Sequence, residues 1–254
     1  MLCYPHAKIN LGLHILRRRP DGYHDLDTVF YPLYACTDAL EMLPSPDGQD
    51  RLFIHDENWT EAPESNLVWK AMVMFRRGFP ALEPLHWHLK KGIPSGAGLG
   101  GGSSDAAFAL RLMAGHLQVP LSDPRIPEMA ASLGSDCACF LVDGPAAGSG
   151  RGEILRPVDT DLSSCRIEWV YPGLHISTAQ AFSGVKPRAD RPSVAEIVAG
   201  PLHTWKDLLV NDFEETVFAA WPQLAALKED FYRRGAVYAS LSGSGSAVYG
   251  IFSV

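Results

Sequence analysis

The chain has 254 residues, of which 46% are hydrophobic and 20% are charged. These proportions lie in the globular range and exclude wholesale disorder. A formal net charge of −7 argues against a nucleic-acid-binding protein, which is usually basic, but it is compatible with a local pocket for a small anion.

The first elements in the chain are predicted to be two neighbouring strands. Apolar and other residues alternate over Ala7–Ile15, which predicts a half-buried strand with Ile9, Leu11, Leu13 and Ile15 on one face and Lys8, Asn10, Gly12 and His14 on the other. The Pro-Asp-Gly sequence at 20–22 is typical of a turn. We therefore expect the chain to return as a partner strand over about Leu26–Leu33.

In the rest of the chain, predicted strands and helices do not follow a strict β-α-β alternation, which favours an α+β fold over a doubly wound sheet. A polar stretch at Pro44–Pro63 contains a short apolar strand, and a long loop is expected after Val170. The remaining predicted elements are, in chain order, a strand at Leu52–Ile54, a helix at Asn66–Phe79, a strand at His86–Leu89, helices at Ser103–Leu117 and Ile126–Leu133, a strand at Ile167–Val170, a helix around Trp221–Arg234 and a closing strand–glycine loop–strand.

A glycine-rich loop lies between the strand that ends at Leu89 and the helix that begins near Ser103. Five of the seven residues from Gly96 to Gly102 are glycine. Three alternatives fit less well: a flexible linker does not normally join an apolar strand to a helix start, a Rossmann loop would need a following ribose-binding acid, and a Walker loop would end in Gly-Lys-Ser or Gly-Lys-Thr. Successive glycines followed by a helix N-terminus instead predict a phosphate-binding loop.

This loop resembles the phosphate loop of the GHMP kinase superfamily, whose members include galactokinase, homoserine kinase and mevalonate kinase. The matching residues are Pro94, Gly98, Leu99, Gly100, Ser103, Ser104, Ala106 and Ala107. A second glycine loop, LSGSGSAVYGIF at Leu241–Phe252, resembles the third motif of that superfamily.

Three longer segments resemble one family within the superfamily, the 4-diphosphocytidyl-2-C-methyl-D-erythritol kinases. They are AKINLGLHILRRRPDGYHDLDTVF, GLGGGSSDAA and GSDCACFLVDGPAAGSGRGEIL. Members of that family usually continue past the third motif through another helix and strand. The resemblance implies an ATP-dependent kinase that phosphorylates the 2-hydroxyl of a cytidine-diphosphate-linked methylerythritol, in the non-mevalonate route to isoprenoid precursors.

The resemblance also implies a two-lobed α+β GHMP fold. Its N-terminal lobe, 1–148, would have an α/β topology like that of ribosomal protein S5 and would carry the ATP loop and the catalytic residues. Its C-terminal lobe, 149–254, would be α+β and would supply the substrate side. The expected cofactor is ATP with Mg²⁺ bridging its phosphates, with few protein ligands for the metal and no dedicated metal site. Another GHMP kinase of the mevalonate or homoserine type, and a non-catalytic GHMP-fold sensor, are the alternatives.

Individual roles follow from the same resemblance. Lys8 and Asp136 are the predicted catalytic residues, although a lone strand lysine is often exposed and Asp136 could instead cap a helix. Tyr23 would stack on cytosine, although an aromatic residue after a turn is often simply packed there. The predicted substrate-binding residues are Asn10, Tyr23, His24, Thr178 and Phe182, and the predicted ATP-binding residues are Asn66, Pro94, Gly96, Gly98, Leu99, Gly100, Gly101, Gly102, Ser103 and Ser104.

Several other features receive plainer interpretations. His86 and His88 lack a visible third metal ligand, so they are interpreted as satisfied or solvent-facing side chains. Cys137 and Cys139 are interpreted as buried thiols, and the three arginines at 17–19 as a solvated turn.

The cellular setting is predicted from what the chain lacks. Five scattered cysteines indicate a reducing environment rather than a disulfide framework. No apolar run reaches the ~18 residues that span a bilayer, and the N-terminus has no features of a signal or transit peptide. We therefore expect a cytoplasmic protein of the bacterial cytosol, a monomer or weak homodimer, with a small-molecule substrate and neither nucleic-acid nor membrane partners.

Overall fold

The computed structural model describes residues 1–56 and 59–253. The chain forms two compact units that both contain helices and strands, which confirms the predicted α+β class. Unit 1 comprises Met1–Ala7, Leu33–Ser95 and Gly100–Asp143, and unit 2 comprises Lys8–Pro32, Gly96–Leu99 and Gly144–Val254. These units interleave along the sequence, whereas the predicted division at residue 148 concerns the two family domains and stays a prediction.

Unit 1 contains four strands, three helices and two short 3₁₀ turns. They are β1 (Leu2–Cys3), β4 (Ala39–Pro44), β5 (Arg51–His55), α1 (Leu67–Gly78), β6 (Leu85–Lys90), α2 (Gly101–His116) and α3 (Arg125–Leu133), with 3₁₀ turns at Pro63–Ser65 and Cys137–Leu141. The strands form one sheet in the order β1-β4-β6-β5, in which all pairs are antiparallel except the parallel pair of β5 and β6. The predicted strands at 52–54 and 86–89 and the three predicted helices are confirmed.

The core of unit 1 is built from helix faces that the sequence spacing predicts. Val68, Ala71, Met72 and Phe75 are buried on one face of α1, and the Asn66 side chain caps this helix by accepting a 2.8 Å hydrogen bond from the Val68 amide. Such a cap satisfies one of the unpaired amides at a helix start. Trp87 of β6 is fully buried in the same core.

The remaining strands are β2 (His6–Arg18), β3 (His24–Thr37), β7 (Ala146–Ser149), β8 (Ile154–Pro157), β9 (Cys165–Val170), β10 (Tyr238–Leu241) and β11 (Val248–Ser253). Unit 2 contains the three-stranded antiparallel sheet β10-β11-β9 and most of a four-stranded sheet in the order β2-β3-β7-β8. The predicted return strand, the strand at 167–170 and the closing strand–loop–strand are confirmed.

The prediction of one long loop after Val170 was wrong, because the chain forms four helices there before the predicted helix near Trp221. They are α4 (Thr178–Phe182), α5 (Val194–Val198), α6 (Trp205–Leu208) and α7 (Phe213–Ala220), followed by α8 (Pro222–Arg233). Capping boxes start α4 at Ser177 and α5 at Ser193. These helices are too short to show a clear period, so tertiary packing and caps determine them.

The prediction that β2 is half-buried was also wrong, because every residue from Ala7 to Ile15 is buried. Burial of Lys8 and Asn10 is compensated by hydrogen bonds inside the protein, which are described below. Gly12 has φ +66°, and a Cβ there would lie 2.5 Å from Leu209 Cδ1. The glycine therefore allows the chain near Leu209 to pack directly on β2.

Among the described residues, no helix combines the length and the apolar character needed to cross a membrane.

A cluster of three charged residues, Asp38, Lys91 and Asp105, is buried in unit 1, where Asp105 belongs to α2. Lys91 Nζ donates to Asp38 and, at 2.7 Å, to Asp105 Oδ2. Asp38 also accepts from the Gly92 and Ile93 amides, whereas Asp105 Oδ1 has no hydrogen-bond partner among the described residues. Burial, with a further contribution from Asp38, raises the pKa of Asp105 to about 8 despite the opposing effect of Lys91.

This pKa predicts the pH dependence of stability. The unfolded carboxyl has a pKa of about 3.9, so between pH ~4 and ~8 the folded state holds a proton that the unfolded state lacks, and stability falls as pH rises. Asp105→Asn keeps an acceptor for Lys91 and removes this titration. We expect the variant to exceed the native protein in free energy of unfolding by about 1 kcal/mol or more at pH 8, with a smaller difference at pH 5.

Urea unfolding between pH 5 and pH 8 measures this difference. Asp143→Asn is the matched control, because it makes the same substitution at a side chain that is 90% exposed. A difference between Asp105→Asn and the native protein that stays constant or shrinks as pH rises would show that Asp105 is ionised in the folded protein.

Candidate functional site

Lys8 of β2 is buried in unit 2, with 3% of its surface exposed. Its Nζ donates to Asn10 Oδ1 at 2.7 Å and to the Gly98 carbonyl oxygen at 3.0 Å. Asn10 is oriented in turn by a 3.0 Å hydrogen bond from its Nδ2 to Thr28 Oγ1. A buried ammonium is costly unless it is well bonded, and these contacts exclude the exposed-strand interpretation of Lys8.

The part of the glycine loop in unit 2 is held in contact with the turn between β10 and β11. The Ala247 amide donates to the Ala97 carbonyl at 2.9 Å, and Ser242 Oγ donates to the Gly98 carbonyl at 2.9 Å. A Cβ on Gly98, which has φ +79°, would lie 2.1 Å from the Ser242 carbonyl oxygen. Only glycine fits at such a backbone contact.

The adjoining residues of the loop in unit 1 form the start of α2. Gly100, in the left-handed region at φ +75°, precedes the helix, and no side chain caps this N-terminus. Gly102 is exposed and Gly101 is buried. The first turn of α2 contains no acidic residue, so nothing in it opposes a bound anion.

The two serines of the loop differ. Ser103 is partly exposed, whereas Ser104 is fully buried and its hydroxyl donates to the His6 carbonyl at 2.7 Å. The Ser104 amide also bonds to the Gly100 carbonyl. The hydroxyl proton of Ser104 is therefore already used inside the protein, and the ATP contacts predicted for both serines stay predictions.

The other predicted ATP contacts have distinct local environments. Asn66 uses Oδ1 as the α1 cap, Leu99 is buried and its carbonyl accepts from the Lys8 amide at 2.9 Å, and Pro94 and Gly96 lie at partly exposed and exposed positions. A ligand contact at Leu99 would therefore have to involve its backbone.

Asp136 lies in unit 1, directly before the 3₁₀ turn Cys137–Leu141, and is partly exposed. Its side chain makes no capping hydrogen bond to that turn. Asp136 therefore occupies the N-cap position, as the capping interpretation expected, but without the side-chain cap, and its predicted role in catalysis stays a prediction.

Two of the predicted cytidine contacts touch each other in unit 2. The rings of His24 and Phe182 stack with centroids 4.6 Å apart and an interplanar angle of 16°, although they are far apart in sequence. Phe182 also packs edge-on against Phe213. Burial and, to a lesser degree, Arg18 lower the pKa of His24, which favours a neutral imidazole.

Tyr23 and Thr178 are the other predicted substrate contacts at this end of unit 2. Tyr23 is 57% exposed, and the Arg151 guanidinium lies 5.0 Å from the centre of its ring. Thr178 is exposed at the first position of α4. Tyr23 is thus not packed into a core, as a purely structural aromatic residue of a hairpin would be.

Some residues near these groups were not predicted individually. A Cβ on Gly243 would lie 3.3 Å from Asn10 Oδ1 and 3.5 Å from Lys8 Nζ, and one on Gly96 would lie 2.7 Å from His175 Nδ1. Ser242 and Gly243 belong to the recognised third motif, which could have indicated them. Arg151 lies in the family-like segment 134–155, which could have indicated it, whereas His175 lies in none of the quoted segments.

Most of the plainer interpretations are confirmed. His88 stacks against Phe53 and His55, and His86 bonds to Asp47. Cys137 and Cys139 are buried and all five cysteines are free. The prediction of a turn at 17–19 was wrong in part, because Arg17 and Arg18 are the last residues of β2, although Arg17 is largely exposed in an ion pair with Asp25. Within residues 1–56 and 59–253, no three or more His, Cys, Asp or Glu side chains are grouped so as to hold a metal ion.

Two family models match the chain. Residues 66–150 match the GHMP kinases N terminal domain, and residues 193–253 match the GHMP kinases C terminal. Solved mevalonate kinases, including that of Methanococcus jannaschii, have TM-scores of 0.73 and 0.74 against the chain at 15% and 14% identity, which shows a shared fold.

Curated relatives match over nearly the whole length. The chain is 46% identical to the 4-diphosphocytidyl-2-C-methyl-D-erythritol kinase of Bacteroides thetaiotaomicron and 45% identical to that of Porphyromonas gingivalis, covering 99% of this chain and 92% of each relative. A crystal structure of 4-(cytidine 5'-diphospho)-2C-methyl-D-erythritol kinase matches with a TM-score of 0.80 at 30% identity, over 99% of this chain and 90% of that one. The chain therefore belongs to the family of the 4-diphosphocytidyl-2-C-methyl-D-erythritol kinases, which are ATP-dependent small-molecule kinases of the GHMP superfamily.

Proposed function

We propose that the chain transfers the γ-phosphoryl group of ATP to the 2-hydroxyl of 4-diphosphocytidyl-2-C-methyl-D-erythritol, a step of the non-mevalonate route to isoprenoid precursors. The relatives at 42–46% identity carry the name of this kinase. The observation that carries the proposal within the chain is the buried Lys8 ammonium, bonded to Asn10 Oδ1 and to a carbonyl of the glycine loop.

Lys8 supplies positive charge where phosphoryl transfer needs it. The reaction depends on positioning and electrostatic stabilisation more than on covalent chemistry by the protein. The Asn10 Oδ1 and the Gly98 carbonyl oxygen hold Nζ by hydrogen bonds of 2.7 and 3.0 Å, which fix the position of the ammonium. Asn10 keeps Lys8 in place and, as a substrate-binding residue, would also contact the acceptor alcohol.

The glycine loop and the start of α2 would bind the phosphates of ATP. Gly96, Gly98 and Gly100 all have positive φ, and no side chain caps α2. Backbone amides in such conformations form anion-binding concavities, and the helix N-terminus adds a favourable dipole. We assign the same task to the remaining loop residues, Pro94, Leu99, Gly101, Gly102, Ser103 and Ser104, and contact with adenine to Asn66.

These residues fit a nucleoside triphosphate, since three loop glycines have positive φ, no side chain caps α2 and no acidic side chain lies in its first turn. Mg²⁺ bound to the phosphates supplies charge neutralisation of the transferred group. The chain's own contribution is to hold the phosphates by backbone amides and to present the Lys8 ammonium.

Asp136 would accept, or orient, the proton of the 2-hydroxyl as it attacks. Its side chain is partly exposed and lies directly before the Cys137–Leu141 turn, where an acceptor alcohol could reach it. An aspartate in contact with the acceptor hydroxyl is the usual arrangement in kinases that phosphorylate alcohols.

Tyr23, His24, Phe182 and Thr178 would recognise the cytidine end of the substrate. Tyr23 offers an exposed ring face, and the His24–Phe182 stack offers further aromatic surface and an imidazole hydrogen-bonding group. Aromatic faces suit a pyrimidine, and a neutral imidazole can pair with its edge.

The chain is further proposed to act in the cytoplasm as a monomer or weak homodimer. All five cysteines are free, and burial raises the pKa of Cys3 and Cys137 to about 12, which keeps these thiols protonated and unreactive. Sedimentation velocity over a range of protein concentrations tests the oligomeric state.

Asp136→Asn tests the proposed chemistry. The substitution preserves shape and removes the proton acceptor, so kcat with the diphosphocytidyl alcohol should fall by roughly 10²-fold or more while the KM for ATP changes little. Asp143→Asn, an exposed carboxylate of the same unit, should retain native turnover. Near-native kcat in Asp136→Asn would remove Asp136 from the mechanism, and turnover by the native protein with mevalonate alone would reject the proposed substrate.

Gly98→Ala tests the phosphate loop. The added methyl would meet the Ser242 carbonyl at a residue whose φ is +79°, so the loop must move, and ATP affinity should fall by about tenfold or more. Gly115→Ala in α2 is the control, because a Cβ added there would meet no neighbouring atom within 4 Å. Calorimetric titration measures both affinities, with circular dichroism confirming the fold. An unchanged ATP Kd in Gly98→Ala would return this segment to the linker interpretation.

Tyr23→Ala tests the cytidine contact. Stacking of an aromatic ring on a base contributes about 1–3 kcal/mol, so the Kd of the diphosphocytidyl substrate should rise about tenfold or more, with no change in ATP affinity. Tyr23→Phe should be mild because the ring face remains. Tyr34→Ala, which removes another exposed ring, serves as the control. Equal losses for both ligands in Tyr23→Ala would mean that the ring is structural.

A further inference from the structure

The buried cluster of Asp38, Lys91 and Asp105 lies against the start of α2. Lys91 Nζ donates to Asp105 Oδ2 at 2.7 Å, and a Cβ on Gly101, the first residue of α2, would lie 3.5 Å from the same Nζ. Gly101 and Asp105 are one helical turn apart, about 6 Å along the axis. The cluster is therefore next to the turn whose amides are proposed to hold the phosphates of ATP.

Asp38 provides a second link to the same turn. It accepts a 2.8 Å hydrogen bond from the Ile93 amide. Ile93 is buried, and its Cγ2 would lie 2.9 Å from a Cβ on Gly101. The start of α2 is thus held by the cluster both through an ammonium group and through an apolar side chain.

The charges of this cluster do not balance, because it contains one ammonium group and two carboxyl groups that are 0% and 2% exposed. Burial of an unbalanced charge is costly, so one carboxyl group should hold a proton. Asp38 accepts from two backbone amides and from Lys91. Asp105 Oδ1 has no hydrogen-bond partner among the described residues. Since hydrogen bonds favour the ionised form of a carboxylate, Asp105 is the group that holds the proton.

The pKa values agree with this assignment. Burial raises the pKa of Asp105 to about 8, with a further contribution from Asp38 and against the effect of Lys91. Although burial opposes the change, the two carboxyl groups raise the pKa of Lys91, which therefore stays charged at this pH.

Other ionisable groups around the cluster keep their charge near pH 8. Burial raises the pKa of Cys3 on β1 to about 12 and also raises that of Cys36 on β3, so both thiols are mainly neutral. Arg111 of α2 is paired with Asp143 and stays charged. Asp105 is therefore the member of this group whose charge changes near pH 8.

We propose that Asp105 is a positioning residue for ATP, which binds more tightly when Asp105 is protonated than when it is ionised. The protonated carboxyl group leaves the cluster neutral, with Lys91 in place beside Gly101. The ionised carboxylate adds a negative charge behind the phosphate-binding turn, and buried charges are poorly screened by salt. Because linkage is reciprocal, ATP binding must draw a proton from the solvent onto Asp105. This inference rests on the proposed binding of ATP at the start of α2.

Calorimetric titration of Mg-ATP at pH 8, in buffers that differ in ionisation enthalpy, counts the protons taken up. If ATP prefers the protonated form by about tenfold, linkage predicts an uptake of about 0.4 proton per ATP at pH 8 and a rise of about fivefold in the Kd for ATP between pH 7 and pH 9. Asp105→Asn should show neither effect. Asp143→Asn, the same substitution at an exposed carboxylate, should show both as in the native protein.

Asp38→Asn is a second, independent variant. It leaves Lys91 and Asp105 as a balanced pair, so Asp105 should ionise and the uptake of a proton at pH 8 should be lost. The Gly92 and Ile93 amides keep an acceptor oxygen in this variant. Circular dichroism confirms the fold of each variant.

The outcomes separate this inference from the proposed function and from a purely structural role. Native proton uptake in Asp105→Asn would place the proton elsewhere and overturn the inference, even if this variant differs in Tm. Binding of ATP by the native protein with no proton uptake and a constant Kd would overturn the inference and leave the proposed function standing. Absence of ATP binding by the native protein would overturn the proposed function and this inference with it.

Discussion

The burial of one ammonium group constrains the arrangement of unit 2. Lys8 must be solvated by protein atoms, and Asn10 Oδ1 and the Gly98 carbonyl do this. Asn10 is then fixed by Thr28, whose hydroxyl donates to the Gly12 carbonyl at 2.6 Å, while Ser242 donates to the same Gly98 carbonyl as Lys8. A single charge thereby links β2, β3, the glycine loop and the β10–β11 turn. A buried polar group that loses its partner costs more free energy than the bond contributes, so these bonds are mutually dependent.

Local signals in the sequence were sufficient for the elements around this charge. The Pro-Asp-Gly turn predicted the strands on either side of it, and helical spacing predicted α1 and α2 to within a few residues. The run of five glycines at 96–102 predicted backbone conformations that side chains disfavour; Gly96, Gly98 and Gly100 have positive φ, whereas Gly101 and Gly102 begin α2. These signals succeed because each depends on the conformational preferences of a few adjacent residues.

Contacts between distant residues could not be obtained in the same way. The alternation in β2 suggested one exposed face, but polar residues on a strand are compatible with burial when partners such as Gly98 and Thr28 arrive from elsewhere in the chain. The His24–Phe182 stack joins β3 to α4, and nothing near either residue indicates the other. The sequence around Ser177 and Ser193 contains capping boxes, which indicate helix starts within the expected loop. The helices that follow have only five residues, so no hydrophobic periodicity confirms these starts.

Residues of unit 2 differ in how strongly their surroundings restrict the side chains that they accept. A Cβ on Gly98 would lie 2.1 Å from the Ser242 carbonyl oxygen, so this position accepts only glycine and the glycine loop keeps one geometry there. Tyr23 is largely exposed and contributes little to any core, so its replacement should cost little folding stability. Mevalonate kinases share the fold at 14–15% identity. Under the proposed roles, a different acceptor substrate would need other side chains in place of Tyr23 and its aromatic neighbours, while the hydrogen bonds of Lys8 and the glycine contacts could stay unchanged.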